Sequence, residues 1–257
     1  MTYLFNDTEL AAHRLQVLAD VFASSSRAFF LETLSDEPSF ALDLGCGPGY
    51  TTRLLAETTR AKRTTGLDSS EHFIAQAHKH NASARIGFLR HDITQVPFPV
   101  EPADLIFCRM LLTHLRDPQA IIERWATQLR PMGLLLLEEV EFIQIQHPVL
   151  RAYLGMVEAM LAQQANQLYV GSLLDKQQVG GGLKRLVSRI YRLPVATKQA
   201  ARMFSMNIPA WKHTPFIQEH YGDSIEDLER TLQEMAQNST ASGEISWEMR
   251  QIVYQRV

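Results

Sequence analysis

The residues best placed to do chemistry gather around Gly45, Gly47 and Gly49 in the run "FALDLGCGPGYTTRLL", Phe40 to Leu55. An apolar run, a glycine cluster and the start of a helix form the kind of loop that lets backbone approach a nucleotide, because no Cβ stands in the way. Carboxylates follow at suggestive places. Asp43 lies in the apolar run before the loop, Asp68 ends "TTGLD" roughly twenty residues beyond the glycines, and Asp92 sits in "RHDIT". Downstream, His114 in "RMLLTHL" is a side chain able to take a proton near neutral pH. Glu139 and Glu141 alternate in "EEVE", so in a strand both point the same way. A dinucleotide fingerprint, G-x-G-x-x-G, requires a third glycine where this chain has Tyr50, which counts against NAD or FAD.

These groups need a frame, and the flanking pattern supplies one. Apolar residues at helical spacing fill Glu9 to Leu34, and "SFALDLG" reads as a buried strand leading through the loop into the helix "GYTTRLLAETTR". "TTGLDSS" is a second strand, "SEHFIAQAHKHN" a helix capped by Ser70, "ARIGFLRHD" a third strand and "ADLIFCRM" a fourth. A helical stretch from Asp117 to Leu129 precedes "PMGLLLLEEVE", a turn into a fifth strand. Strands alternating with helices predict a doubly wound α/β sheet, with ligands beyond the carboxyl ends of the strands. Asp43, Asp68 and Asp92 then converge on one rim.

After Glu141 the pattern changes. "HPVLRAYLGMVEAMLAQQANQL" predicts a long helix, "VGGGL" a break, "LVSRIYRLPV" a strand, and "ISWEMRQIVYQRV" a late strand after further helix. The expected organisation is an N-terminal helical lid over 1–36, a Rossmann-like core over 37–145, and over 146–257 a helical insertion plus the last two strands of the same domain.

Composition excludes several classes. With 46% hydrophobic and 21% charged residues, the chain has ordinary globular balance and no run long and apolar enough for a membrane span. The first nine residues do not read as a leader, so a cytoplasmic location is the expectation. Two cysteines, Cys46 and Cys108, make neither a disulfide framework nor a zinc pattern, and both are expected as buried, inert thiols. A net charge of -3 argues against a general nucleic-acid binder. Charge is uneven, however: Lys176 to Gln218 holds no acid but eight Lys and Arg, and Glu219 to Glu234 is acidic. The basic stretch reads as a solvated face or a holder of an anionic small substrate.

At this point the sequence resembles the class I S-adenosylmethionine-dependent methyltransferases of small-molecule type. "LDLGCGPGYTT", "GLDSS", "RHDI", "ADLIFCRMLLTHL" and "LRPMGLLLLEE" look like their successive motifs, in order, over roughly Phe40 to Glu141. The resemblance implies a seven-stranded, mostly parallel sheet with an antiparallel last strand. It also implies that S-adenosylmethionine is the cofactor and S-adenosylhomocysteine the product. Gly45, Cys46 and Gly47 would meet the methionine part of the cofactor, with Asp43 orienting the loop or the ammonium. Asp68, with Ser69 beside it, would take the ribose hydroxyls; Asp92 and Ile93 would take the adenine; Cys108 or Arg109 would complete the cradle. Met110, Glu139 and Glu141 become substrate-contact candidates and His114 a candidate base. His13, Tyr153 and Tyr169 could line a lid, and Met156, Met160, Phe204, Met206 and Trp211 an apolar substrate wall.

The expected partner is a small-molecule acceptor methylated on O or N, with no nucleic acid and no membrane, in a monomer or a homodimer. The Asn/Asp-Pro-Pro-aromatic signature of base-amine methylation is absent from "FCRMLL". Two alternatives stay open: a methyltransferase-like protein catalysing a non-methylating reaction, and a nucleic-acid or protein methyltransferase.

Overall fold

The structure, a computed structural model, describes residues 8–237 and 243–257. Helix α1 (Glu9–Thr33) is continuous and opens on Thr8, whose hydroxyl accepts from Ala11 N–H. The elements then run β1 (Phe40–Leu44), α2 (Tyr50–Thr59), β2 (Arg63–Asp68), α3 (Glu71–Asn81), β3 (Ile86–Arg90) and β4 (Ala103–Arg109). A short 3-10 turn (Leu112–His114) follows, then α4 (Pro118–Ala126), β5 (Leu129–Gln144), α5 (Pro148–Gln163), α6 (Val170–Lys176) and β6 (Leu183–Ala196). The chain closes with α7 (Thr197–Ser205), α8 (Ile208–Trp211), α9 (Pro215–Gln237) and β7 (Glu244–Arg256).

All seven strands form one sheet in the order β3-β2-β1-β4-β5-β7-β6. Strands β1 to β5 pair in parallel, and β7 runs antiparallel between β5 and β6. The sheet reverses direction of travel at β1, whose neighbours are β2 and β4, so the loop after β1 lies at the switch point where such sheets bind ligands. All five residues of β1 are buried, as covering helices on both faces require. Ser70 caps α3 by accepting from Phe73 N–H at 3.1 Å, and Asp117 caps α4 by accepting from Ala120 N–H at 3.0 Å.

Two expectations are corrected. The long helix after His147 ends at Gln163, because Ala165 takes a left-handed φ of 59° and turns the chain before α6. Strand β5 runs on to Gln144 rather than stopping near Glu141, since its last residues pair with the start of β7, Gln144 opposite Ser246. Glu141 is an extra residue in that ladder: the register shifts between Val140 and Phe142, so Val140 and Ile143 share a face.

Candidate active site

The glycine loop closes on itself. Gly45 and Cys46 N–H both donate to the Leu67 carbonyl, at 2.8 and 3.1 Å, and Gly49 N–H donates to the Cys46 carbonyl at 3.0 Å. Gly47 N–H donates to Asp68 Oδ2 at 2.9 Å, while Ser70 N–H donates to Asp68 Oδ1 at 2.8 Å. Gly45 and Gly47 adopt φ of 67° and 52°, and a Cβ on Gly45 would stand 2.8 Å from the Leu111 side chain. The amides a pyrophosphate would need are therefore already engaged, and Asp43, Asp68 and Asp92 bring carboxylates to the cavity lining. That suits a cationic ligand without phosphates. The main-chain groups expected to meet the cofactor at Cys46 are both engaged within the fold: its N–H donates to Leu67 and its carbonyl accepts from Gly49.

Asp43, buried at the end of β1, accepts from the hydroxyls of Thr51 and Thr52, each at 2.7 Å. These threonines thus tie α2 to β1. Burial pushes the Asp43 carboxyl up to about 6, against the pull of the two hydroxyls and the Arg109 charge. Arg109 is itself buried, and Nη1 donates to Ser26 Oγ at 2.9 Å. Fully buried Glu138 accepts from Ser25, Ser26 and Gln251, so a polar network runs from α1 across β5 to β7 beneath the site. Burial lowers the Arg109 pKa, and Glu138 and Asp43 work to raise it.

Above these groups lies a cavity of about 620 Å³. Asp43, Gly45, Cys46, Gly47, Asp68 and Ser69 line it, as do Asp92, Ile93, Arg109, Met110 and His114. Asp92 accepts from Thr94 N–H at 3.0 Å and its hydroxyl at 2.8 Å; partial burial raises its pKa, but these two bonds bring the net value below the usual range. Ile93 is anchored by its carbonyl, which accepts from Trp125 Nε1 at 2.8 Å. Met110 turns the chain with φ of 50° at the carboxyl end of β4.

Three sequence candidates do not line the cavity. Cys108 is wholly buried with Sγ 3.8 Å from Glu139 Oε1, since alternation along β4 turns it away from the Arg109 side. Glu139 accepts from Leu111 and Leu112 N–H at 2.9 and 3.0 Å, holding the 3-10 turn in place from behind. Glu141 accepts from Arg250 Nε at 2.9 Å, beside Gly171 of α6. The two glutamates do share a side of β5, but the cavity takes Val140 and Ile143 instead. Cys46 and Cys108 are both buried free thiols with pKa values raised well above the ordinary thiol value, chiefly by burial.

His114 faces the cavity, and burial, with the charge of Arg14, pushes its pKa down to about 4. The imidazole is therefore held neutral at physiological pH. Tyr153 and Phe204 lie on the wall, whereas Met156, Met160 and Trp211 are buried in the cluster behind it. Tyr169 packs against Phe142 with ring centroids 5.3 Å apart, and exposed His13 contacts Arg202, so neither lines a lid. Sequence reading missed Arg14, Leu18, Val140, Ile143, Asn207 and Trp247, all on the wall. Only helical spacing on α1 hinted at Arg14 and Leu18.

Half of the eight basic residues in that stretch are paired with acids. Arg185 pairs with Asp175, Arg189 with Glu32, Arg192 with Glu248, and Lys212 with Glu226 and Glu229 of the acidic segment. Among the described residues, no helix is long and apolar enough to cross a membrane, and no His, Cys, Asp and Glu cluster could hold a metal.

Burial pushes Glu139 up to about 7, against the usual 4.5, and Asp43 behaves alike. Between about pH 4 and 7 these two carboxyls hold more protons folded than unfolded, so their contribution makes stability fall as pH rises through that window and levels off above it, while His114, lowered to about 4, works in the opposite direction. Glu139→Gln mimics the protonated carboxyl and should flatten part of that slope. Urea midpoints at about pH 5 and about pH 8 check this; an equal drop in wild type and variant would contradict it.

Sheet order, switch-point loop and rim carboxylates together define the class, a Rossmann-like methyltransferase fold. Residues 42–137 match the family model "Methyltransferase domain". The chain is 38% identical over 99 residues to trans-aconitate 2-methyltransferase of Delftia acidovorans, covering 38% of this chain and 36% of that one. With trans-aconitate 2-methyltransferase of an Azoarcus species it is 29% identical over 145 residues, 56% of each. The matched part thus spans about a third to a half of these relatives. The fold is shared with cyclopropane synthase MmaA2 from Mycobacterium tuberculosis, at TM-score 0.57 and 20% identity over 90% of this chain and 83% of that one.

Proposed function

We propose that the protein is an S-adenosylmethionine-dependent methyltransferase acting on a small molecule. The observation that carries this reading is a glycine loop whose amides are already bonded, set beside a cavity lined by the carboxylates of Asp43, Asp68 and Asp92. Asp68 would hold the ribose, Asp92 and Ile93 the adenine end, and Gly45 with Asp43 the aminoacyl end, where a Cβ is not tolerated. When bound, S-adenosylmethionine supplies a methyl group on a cationic sulfonium, transferred by in-line displacement. The chain's own task is to align the acceptor and exclude water. Arg109, Met110 and His114 lie where the cradle meets an apolar wall, and these are the groups that would orient the acceptor.

A nucleic-acid acceptor would need a cationic track, and half of the basic stretch is paired with acids instead. Relatives named for trans-aconitate, a small organic acid, support the small-molecule reading and an oxygen acceptor. Formation of S-adenosylhomocysteine with small organic acids, and none with oligonucleotides or peptides, is the expected result; turnover with a polymer alone would overturn the acceptor class. His114→Ala should keep most of the turnover, with no new dependence on pH between about 5.5 and 8, because the imidazole is neutral there. A loss of two or more decades across that whole range would assign His114 a proton-transfer role.

A further inference from the structure

The cavity wall built late in the chain narrows the substrate class, an inference that rests on the methyltransferase reading. The family match ends at residue 137, whereas much of the wall comes from later residues: Ile143 of β5, Leu154, Val157 and Leu161 of α5, and Leu168 just ahead of α6. Three rings continue it. Tyr153 stacks on Phe204 with ring centroids 4.2 Å apart and planes 11° from parallel, Phe204 meets Trp247 at 6.1 Å, and Trp247 stands edge-to-face with Phe22 at 5.0 Å. Each ring is held by its neighbour, so this wall is formed before anything binds.

Little polar surface interrupts the carbon. The Thr113 hydroxyl donates to the Gln167 carbonyl, and Asn207 Nδ2 donates to the Tyr153 phenol oxygen. Asn207 Oδ1 and Trp247 Nε1, which have no hydrogen-bond partner among the described residues, lie beneath the surface rather than on it. Arg14 and His114 also line the cavity, and each interacts within the protein. A hydroxyl, amide or carboxylate laid against the carbon wall sheds its water and finds no new partner. Hydrocarbon laid there leaves water at a gain that grows with its area.

We propose that the acceptor is an amphipathic small molecule, with the methylated atom at one end of a hydrocarbon body and that body packed against Val157, Leu168 and the rings of Tyr153, Phe204 and Trp247. A polycarboxylate would bring several charges to this wall and is disfavoured. The relatives named for trans-aconitate match 38% and 56% of this chain, so their named substrate does not by itself fix what the wall accepts.

Calorimetric titration in the presence of S-adenosylhomocysteine tests this with hexanoate and octanoate, the matching hexanol and octanol, and citrate. Octanoate should bind at least about fivefold more tightly than hexanoate, octanol should gain over hexanol by a similar factor, and citrate should bind more weakly than octanoate. A gain in one series alone supports the proposal and names the head group. Val157→Phe, which fills space at the wall, should weaken octanoate at least about tenfold and hexanoate less, while S-adenosylhomocysteine affinity stays within about threefold. Leu168→Gln, at a half-buried position, should shrink the chain-length gain without blocking the site, and it decides the matter if the Val157 variant does not fold. A gain in neither series, tighter binding of citrate than of octanoate, or an unchanged gain in both variants would overturn the proposal. Loss of S-adenosylhomocysteine affinity in Leu168→Gln would overturn it too, by assigning the wall to the cofactor. Binding of S-adenosylhomocysteine with no chain-length gain sinks this proposal alone; failure of wild type to bind S-adenosylhomocysteine sinks the methyltransferase reading itself.

Discussion

Asp68→Ala should weaken S-adenosylhomocysteine binding by about a hundredfold, a loss of about 2.8 kcal/mol. Two effects add. The carboxylate would accept from the ribose hydroxyls, and it also accepts from Gly47 N–H and Ser70 N–H, so alanine frees the glycine loop and the approach to α3 together. Charged acceptors make the stronger hydrogen bonds, so Asp68→Asn should fall between wild type and alanine. Calorimetry on the three proteins decides it. An alanine variant within about threefold of wild type would remove Asp68 from the ribose and leave it a loop anchor only.

Glu138→Ala should have the largest effect on stability. Glu138 is fully buried and accepts from Ser25, Ser26 and Gln251, while Arg109, bonded to Ser26, depends on it for charge balance. Removing one partner of such a network leaves an uncompensated buried charge, at a cost of about 3–5 kcal/mol. For a chain of this size that corresponds to a fall in melting temperature of about 10 °C. Scanning calorimetry would show it, and cofactor affinity in the surviving folded protein should also drop, since Arg109 lines the cavity. A shift of less than about 3 °C would mean the network is not holding α1 to the sheet.

The parts of the site written in contiguous sequence were legible. A buried strand, a glycine loop and a helix follow one another locally, so Asp43, Gly45 and Gly47 could be placed from spacing, and strand alternation carried Asp68 and Asp92 to the same rim. The acceptor wall was not legible in the same way. Arg14, Asn207 and Trp247 come from α1, the start of α8 and β7, far apart in the chain, and tertiary packing alone decides which face of each meets the cavity. The glutamates of β5 show the limit most clearly. Period-two alternation correctly put Glu139 and Glu141 on one side, but only the packed structure shows that this side faces the 3-10 turn and α6, and that the bulge at Glu141 brings Ile143 to the cavity. Helix α5 likewise carries both wall and core residues: Tyr153 lines the cavity, whereas Met156 and Met160 do not.

Methyl transfer itself is tested most directly by incubating the protein with methyl-labelled S-adenosylmethionine and a panel of small organic acids, then following the label by mass spectrometry. The account predicts one equivalent of S-adenosylhomocysteine for each labelled small-molecule product formed, and no label moved to oligonucleotides or peptides. Tight binding of the cofactor with no label transferred to any acceptor would contradict it.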